Sequence, residues 1–350
     1  MRGKKVFGIL LGVWFVAAVL GPYGLAAPQA SLREQLCEQA RREGQLNLLT
    51  NVALVADPLV ELFQEQFPGL RVRAVTDVAA PTRAITEAQA GRHEHDILVW
   101  TIPGVLPLFE RNLLASFKPE ELAAFRIPPG TAILNNTTLK FYNFVHTLSY
   151  DSRRLRPEDV PRDWNGILQP RWRERFVGDI PTVTNGIAAL GLLLGEAWAT
   201  NFARRLRDEI RITIVPNPTI GREMVLRGEK DLMWGGIGET IDRRERFREP
   251  LAWNPVTPTY ASQFVVVAFQ RAPHPNAARC VALWAATQEA KPIMERKAYF
   301  LADATPGAKT QLRREIERHR MRIFFENVES AKRRLELYGR LVPILQGQVP

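Results

Sequence analysis

Hydrophobic and polar positions repeat along this chain with two periods, one typical of helices and one typical of strands. Amphipathic stretches predict helices, and short apolar or alternating runs predict strands. In the first third of the chain the two kinds of element alternate, an order typical of a parallel α/β layer. Helices are predicted at 31–44, 57–67, 81–91 and 105–112, and strands at 44–50, 70–76 and 95–101.

A second α/β layer is predicted between residues 177 and 236. Two long, aromatic, β-rich stretches at 138–152 and 258–271 are interpreted as strands that cross between the layers. The predicted order of the second layer is a strand from 177, a loop at 182–186, a helix at 186–207, a strand at 210–215, a helix at 219–227 and a strand at 230–236. A helix at 274–288 follows, and 305–346 is predicted to be mostly helical. The predicted class is α/β with two layers.

The first thirty residues have the three parts of a secretory signal peptide. Arg2, Lys4 and Lys5 precede an uncharged apolar run at 6–20, and small residues follow. We expect residues 1–26 to be removed by cleavage near Ala26, which predicts a periplasmic protein. An uncleaved anchor is the alternative, although the run is short for a membrane span.

Charge and motifs exclude several classes of function. Removal of the three basic residues above lowers the formal charge from +10 to +7, and the remaining charges of both signs are mixed along predicted helices, which is typical of solvated helix faces. No basic tract interleaved with aromatic residues predicts nucleic-acid binding. The sequence has no GxSxG, HExxH, GxGxxG or P-loop motif, so no enzyme and no cofactor is predicted.

The cysteines and histidines give little sign of metal or redox chemistry. Cys37 and Cys280 are the only cysteines, and they could pair in an oxidising compartment or remain two buried thiols. The histidines of the 93–95 run lack the spacing of metal ligands on a helix, so this run is interpreted as a polar loop and no metal site is predicted.

Six segments resemble, in order and spacing, the periplasmic solute-binding proteins of ABC importers. They are LCEQARREGQLNLLTNV, VELFQEQFPGLRVRAV, EAQAGRHEHDILVWT, SYDSRRLRPEDVPRDWNGILQPRWRERF, VLRGEKDLMWGG and RAPHPNAARCVALWAATQEA. The resemblance is to family 1 of these proteins, in the cluster of ferric-ion, thiamine, polyamine and phosphonate binders. It implies a type II fold of two α/β lobes joined by hinge strands. The first lobe would contain 27–145 and about 262–305, and the second 146–261 and about 306–350.

The resemblance also implies a function without chemistry. A monomeric receptor would close on a small polar, anionic solute in the cleft between the lobes and deliver it to an ABC permease. The alternatives are a ferric-ion or other metal receptor of the same family, a ligand-sensing module for a membrane signalling partner, and a periplasmic enzyme on the same scaffold. Ferric binding has a specific difficulty, because Ile237–Ile241 contains no tyrosine where the ferric members carry two.

The candidate ligand-binding residues are those predicted at strand ends, at a helix start and on the crossing strands. Hydroxyl, amide and N–H groups at a helix start suit an anion, although the same residues could simply cap the helix. Arginine can bind an anion at two points, and aromatic residues can supply an apolar wall. The set is Thr50, Asn51, Arg83, Trp100, Thr101, Tyr142, Thr182, Thr184, Asn185, Gly186, Trp234, Glu239 and Tyr260.

Overall fold

The computed structural model describes residues 31–51 and 53–349. The predicted signal peptide lies outside the described residues. Within them, no helix combines the length and the apolar character needed to cross a bilayer.

The helices and strands follow one another in an α/β order. The helices are α1 (Leu32–Glu43), α2 (Ala53–Gln66), α3 (Ala80–Gln89), α4 (Ile102–Glu110), α5 (Pro119–Ala124), α6 (Ile180–Leu194), α7 (Glu196–Asp208), α8 (Pro218–Leu226), α9 (Ile237–Phe247), α10 (Pro275–Ala285), α11 (Ala290–Lys297), α12 (Gln311–Arg318) and α13 (Val328–Leu345). The strands are β1 (Gln45–Thr50), β2 (Arg71–Thr76), β3 (Ile97–Thr101), β4 (Ala132–Ile133), β5 (Thr138–Asp151), β6 (Phe176–Asp179), β7 (Thr213–Val215), β8 (Leu232–Gly236), β9 (Leu251–Asn254), β10 (Thr259–Ala268) and β11 (Ile323–Phe325).

One long strand joins two sheets. The path of paired strands is β2-β1-β3-β10-β5-β8-β6-β7, with β1 parallel to β2 and β3, and β8 parallel to β6. The first half of β5, Thr138–Val145, pairs with β10, and its second half, His146–Tyr150, pairs with β8. The crossing predicted for 138–152 is therefore confirmed. The return crossing predicted for 258–271 is made by the chain: the Pro258 carbonyl accepts a hydrogen bond from the Trp164 indole at 2.8 Å on the β6–β8 side, and β10 then pairs with β3. Strand β10 forms no described ladder with β6, β7 or β8, because its partners are β3, β5 and β11.

The loop predicted at 182–186 is wrong, because helix α6 begins directly after strand β6. The Asp179 carboxylate accepts a hydrogen bond from the Thr182 N–H at 3.0 Å, and Pro181 occupies the first turn. A capping carboxylate and an early proline are strong helix-start signals. Residues 182–186 therefore form the first turns of α6. The single helix predicted at 186–207 is also divided, at Gly195, whose φ of +100° is unsuited to other residues.

Separate hydrophobic cores support the two sheets. The largest packs α1, α2, α10 and α11 against the β1–β3 side, with side chains such as Phe63, Phe141 and Leu283 almost fully buried. Another surrounds Trp164 and Trp234, whose rings stack at 4.3 Å on the β6–β8 side. Each core therefore holds one sheet in place, together with the ends of the strands in that sheet.

The two cysteines form a disulfide bond. Cys37 of α1 and Cys280 of α10 are bonded across a sequence separation of 243 residues. The question that the sequence left open is thus answered in favour of pairing, and the bond ties the first described helix to the core of the β1–β3 side.

Candidate functional site

A cavity of about 210 Å³ lies where the two sheets meet. It opens at the carboxyl ends of β1 and β3 on one side and at the end of β8 and the start of α6 on the other. Its lining consists of Asn51, Val55, Trp100, Thr101, Tyr142, Phe144, His146, Pro181, Thr182, Asn185, Pro218, Trp234, Gly235, Glu239, Ser262, Phe264 and Phe300. Carboxyl ends of parallel strands are the usual ligand-binding edge of α/β sheets, so this cavity, called the cleft below, is the candidate site.

Aromatic side chains form one wall of the cleft. Tyr142 stacks on Phe264 with ring centroids 4.5 Å apart, and Phe144 meets His146 edge-on at 4.9 Å. The residues come from alternating positions of two paired strands, β5 and β10, because every second side chain of a strand points to the same face. The wall offers a planar apolar surface to a solute.

A hydrogen-bond relay behind this wall orients one serine hydroxyl. The indole N–H of Trp234 donates to Nδ1 of His146 at 3.1 Å, and Nε2 of His146 lies 3.1 Å from Oγ of Ser262. Because Nδ1 accepts, the ring proton is on Nε2 and is donated to Ser262. Burial, together with the charge of Arg334, lowers the pKa of His146 to about 3, so the ring is neutral. The Ser262 hydroxyl keeps its own proton, which can be donated to a solute in the cleft or to the neighbouring Tyr260 hydroxyl.

Two lining residues carry buried oxygen atoms that have no hydrogen-bond partner among the described residues. They are Oη of Tyr142 and Oε1 of Glu239, in side chains that are 2% and 7% exposed. Burial raises the pKa of both groups, which favours their protonated forms. Unpaired buried polar atoms are costly, and a bound solute would satisfy them.

Two helix N-termini at the cleft lack a side-chain cap. Helix α4 begins directly after Thr101 and helix α9 directly after Gly236, and at neither start does a side chain accept a cap hydrogen bond. The helix dipoles place partial positive charge beside the cleft, although Pro103, the second residue of α4, has no N–H to donate. No lysine or arginine is in the described lining, but the charge of buried Arg334 acts on His146 from behind it.

Eight of the thirteen predicted ligand-binding residues lie in the cleft lining. They are Asn51, Trp100, Thr101, Tyr142, Thr182, Asn185, Trp234 and Glu239. Their part in binding stays a prediction. Asn185 is held by protein groups, because its amide donates to the Pro181 carbonyl at 2.7 Å and accepts from buried Arg334, which is paired with Glu326.

The other five predicted residues lie outside the lining. The Thr50 hydroxyl donates to the Val99 carbonyl at 3.2 Å. Arg83 turns to Glu87 one helical turn further on, at 2.7 Å, as residues four apart on a helix do.

The last three pack behind the lining. Thr184 is fully buried in α6, and Gly186 lies against the Trp234 ring. Tyr260 stacks on His146 from behind, with ring centroids 5.5 Å apart.

Sequence reasoning missed several lining residues that share strand faces with predicted ones. Phe144 lies two positions from Tyr142, and Ser262 and Phe264 occupy alternate positions of β10. The period of two in these strands was visible in the sequence and could have identified them.

The fold is shared with solved periplasmic binding proteins. No family model and no curated protein sequence matches the chain. Iron-bound HitA from Pseudomonas aeruginosa is similar with a TM-score of 0.65 at 18% identity, covering 85% of this chain and 99% of that one. AfuA from Actinobacillus pleuropneumoniae, with fructose-6-phosphate bound, is similar with a TM-score of 0.68 at 16% identity. The match covers 87% of this chain and 99% of AfuA.

A third similar structure is the substrate-binding protein of an ABC transporter from Agrobacterium tumefaciens. Its TM-score is 0.69 at 16% identity, and the match covers 88% of this chain and 97% of that one. At these identities the likeness shows the fold, and it confirms at that level the resemblance inferred from the sequence. The chain has the two-lobed α/β fold of the periplasmic binding proteins.

Proposed function

We propose that the protein is an extracytoplasmic receptor that binds a small anionic organic solute in the cleft and delivers it to an ABC permease. The observation that carries the proposal is the cleft itself, where unpaired polar atoms line one cavity between two sheets and two uncapped helices begin beside it. The similar structures support the transport role, since they include a substrate-binding protein of an ABC transporter and AfuA with its bound sugar phosphate.

The lining favours a solute with an anionic end and an apolar or ring-shaped body. The anionic end would accept hydrogen bonds from N–H groups in the first turn of α9 and from Ser262, and it would be stabilised by the dipole of α4. The body would lie against Tyr142 and the other rings of the aromatic wall. The volume of about 210 Å³ suits a small solute.

Binding without chemistry fits the state of the only histidine in the lining. Both ring nitrogens of His146 are engaged within the protein, and burial lowers its pKa to about 3. It therefore cannot serve as a general base near neutral pH. We infer that binding energy is used to close the cleft and that no bond is broken.

A solute screen with matched pairs tests this function. Thermal shift and titration calorimetry would compare fructose 6-phosphate with fructose, and a phosphonate with the corresponding alcohol. The anionic member of at least one pair is expected to raise the melting temperature, and its neutral partner is not. A protein that responds only to neutral or cationic solutes would contradict an anionic ligand. A protein whose scattering profile never becomes more compact with any solute would contradict the receptor role.

A ferric-ion receptor is the second candidate, favoured by the similarity to iron-bound HitA. The lining offers the oxygens of Tyr142 and Glu239, which burial keeps protonated and which would have to lose their protons to bind a metal; ferric ion prefers such hard oxygen donors. A visible absorption band on addition of ferric citrate, lost in Tyr142→Phe, would support this candidate in place of the organic anion.

Location, assembly and lobe boundaries are further parts of the proposal. A periplasmic, monomeric protein with residues 1–26 removed should appear in the osmotic-shock fraction at the mass of one shortened chain.

Lobes divided near 145/146, 261/262 and 305/306 should move as two bodies when solute binds. Mass spectrometry and scattering measure these properties directly.

A further inference from the structure

A second cavity, of about 300 Å³, lies at the opposite end of strand β3 from the cleft. The cleft is next to Thr101, the last residue of β3, whereas this cavity is next to His95, which precedes the strand. Five strand residues separate the two sites by roughly 13 Å or more. The cavity is lined by Ala84, Glu87, Ala88, Arg92, His93, Glu94, His95, Arg111, Asn112, Leu113, Phe269, Gln270 and Arg271.

Three side chains in this cavity bring metal-binding atoms together. One ligand atom each from Glu87, Glu94 and His95 lies within 4.8 Å of the other two. Nε2 of His95 is 3.3 Å from Oε2 of Glu87. This separation is about what two ligands of a tetrahedral zinc ion with bonds near 2.0–2.1 Å would show.

The ring of His95 is buried and has no hydrogen bond. Its side chain is only 4% exposed, and neither ring nitrogen has a partner of hydrogen-bond geometry among the described residues, despite the nearby Glu87. Nε2 of His93, in the same cavity, is likewise buried and unpaired. Apart from the Glu87 carboxylate at 3.3 Å from Nε2 of His95, the described residues supply no partner for these atoms.

The charges around the cluster are mixed. Arg83 donates to Oε1 of Glu87 at 2.7 Å, which leaves Oε2 directed at His95. Arg92 lies at the cluster, with its Nε 4.0 Å from Oε1 of Glu94, whereas Arg111 and Arg271 line the cavity and would favour an anion there. The side chain of Arg92 is 62% exposed to water, which screens its charge. An anion at the cluster would face two carboxylates, whereas a cation is balanced by them.

We propose that Glu87, Glu94 and His95 form a binding site for a divalent zinc-type metal ion, separate from the cleft. Carboxylate oxygen and neutral imidazole nitrogen are ligands that zinc accepts. His93 or a water molecule would complete the coordination.

Zinc titration of the purified protein, prepared without a histidine tag, tests the site. Calorimetry in a non-phosphate buffer should show one zinc ion bound per chain. Glu94→Gln should weaken binding at least about tenfold, because it removes a ligand. Glu120→Gln, at another exposed glutamate, is the matched control and should bind zinc as the wild type does.

His95→Gln should weaken zinc binding at least as strongly as Glu94→Gln does, with His319→Gln as its control. Because His95 is buried, a melting curve without metal is recorded for each variant. If His95→Gln is unfolded, the proposal is tested by the zinc affinities of Glu94→Gln and its control Glu120→Gln, since both replace exposed residues. The proposal would be overturned if the wild type did not bind zinc or if Glu94→Gln bound zinc with unchanged affinity. It would also be overturned if phosphate raised the melting temperature of the wild type and zinc did not. Chelation of the metal should leave solute binding in the cleft unchanged, which separates this test from that of the proposed function.

Discussion

Trp234 donates its indole hydrogen bond to Nδ1 of His146 at 3.1 Å, and this contact joins the β6–β8 sheet to the cleft. It fixes the histidine tautomer, and in this tautomer Nε2–H donates to the Ser262 hydroxyl oxygen. A core tryptophan is thereby connected to a serine hydroxyl that lines the cleft.

Replacement of Ser262 by alanine should weaken solute binding about tenfold. The variant loses one hydrogen bond to an anion, worth about 1.5 kcal/mol. The melting temperature of the empty protein should fall as well, because the buried Nε2–H of His146 loses its acceptor, at a cost of about 1–3 kcal/mol. Calorimetry with the solute found in the screen measures the effect, and Ser116→Ala at an exposed serine is the control. Equal affinities of both variants would show that Ser262 does not contact the solute.

Replacement of Tyr142 by phenylalanine should separate stability from binding. The Tyr142 hydroxyl is buried without a described partner, so its removal should leave the unfolding free energy unchanged or slightly higher. The stacking on Phe264 is retained. Solute affinity should fall about five- to tenfold if the hydroxyl binds the solute. Chemical unfolding and calorimetry on the same preparation provide both values, and a clear loss of stability would mean that the hydroxyl has a structural partner.

The buried His146 should make the fold less stable in acid. Its pKa is about 3 in the folded protein and near 6.5 when unfolded, so below pH 6.5 the unfolded chain binds the extra proton. Stability attributable to this residue therefore falls as the pH decreases from 6.5 towards 3, by up to about 1.4 kcal/mol per pH unit. In urea unfolding at pH 7 and pH 5, the advantage of the wild type over His146→Gln should shrink. A constant difference would refute the low pKa.

Replacement of Gly186 by alanine should disturb the hydrogen-bond relay through Trp234, although Gly186 is not itself part of the cleft lining. A Cβ atom at this position would lie 2.3 Å from the Trp234 ring, which is rigid and fully buried. We expect a loss of about 1–3 kcal/mol in stability together with weaker solute binding. Gly339→Ala, in α13 where a Cβ meets nothing within 4 Å, is the matched control and should be neutral or stabilising. Equal melting temperatures of the two variants would show that the Trp234 ring moves aside without cost, which would contradict the prediction.

Loss of the disulfide should destabilise the protein by about 2–5 kcal/mol, because the Cys37–Cys280 bond constrains a long segment of the unfolded chain. The comparison is between wild type and the Cys37→Ser, Cys280→Ser double variant by denaturant unfolding. A reducing agent should lower the unfolding free energy of the wild type to that of the variant, and it should leave the unfolding free energy of the variant unchanged. Two titratable thiols in the oxidised, denatured wild type would mean that the bond does not form.

The sequence determined the local elements and the class of fold. Apolar periodicity, caps such as Ser31 and Gly44, and breakers such as Pro68 depend on neighbouring residues alone, so α1 and the β1–β3 layer follow from them. The ends of those strands gave Asn51, Trp100 and Thr101 as cleft residues, because parallel strands expose their carboxyl ends at one edge. The start of α6 was misplaced, since the Asp179 cap competed with an equally plausible loop.

Only the tertiary structure decided which distant residues meet. The relay from Trp234 through His146 to Ser262 spans three strands, and the pairing of Cys37 with Cys280 spans 243 residues. The histidines of the 93–95 run carried no metal signal by spacing, yet the turn after α3 brings Glu87 beside His95. Sequence periodicity reports which face of an element is buried. It does not report which other element covers that face, because that depends on packing contacts between segments far apart in the chain.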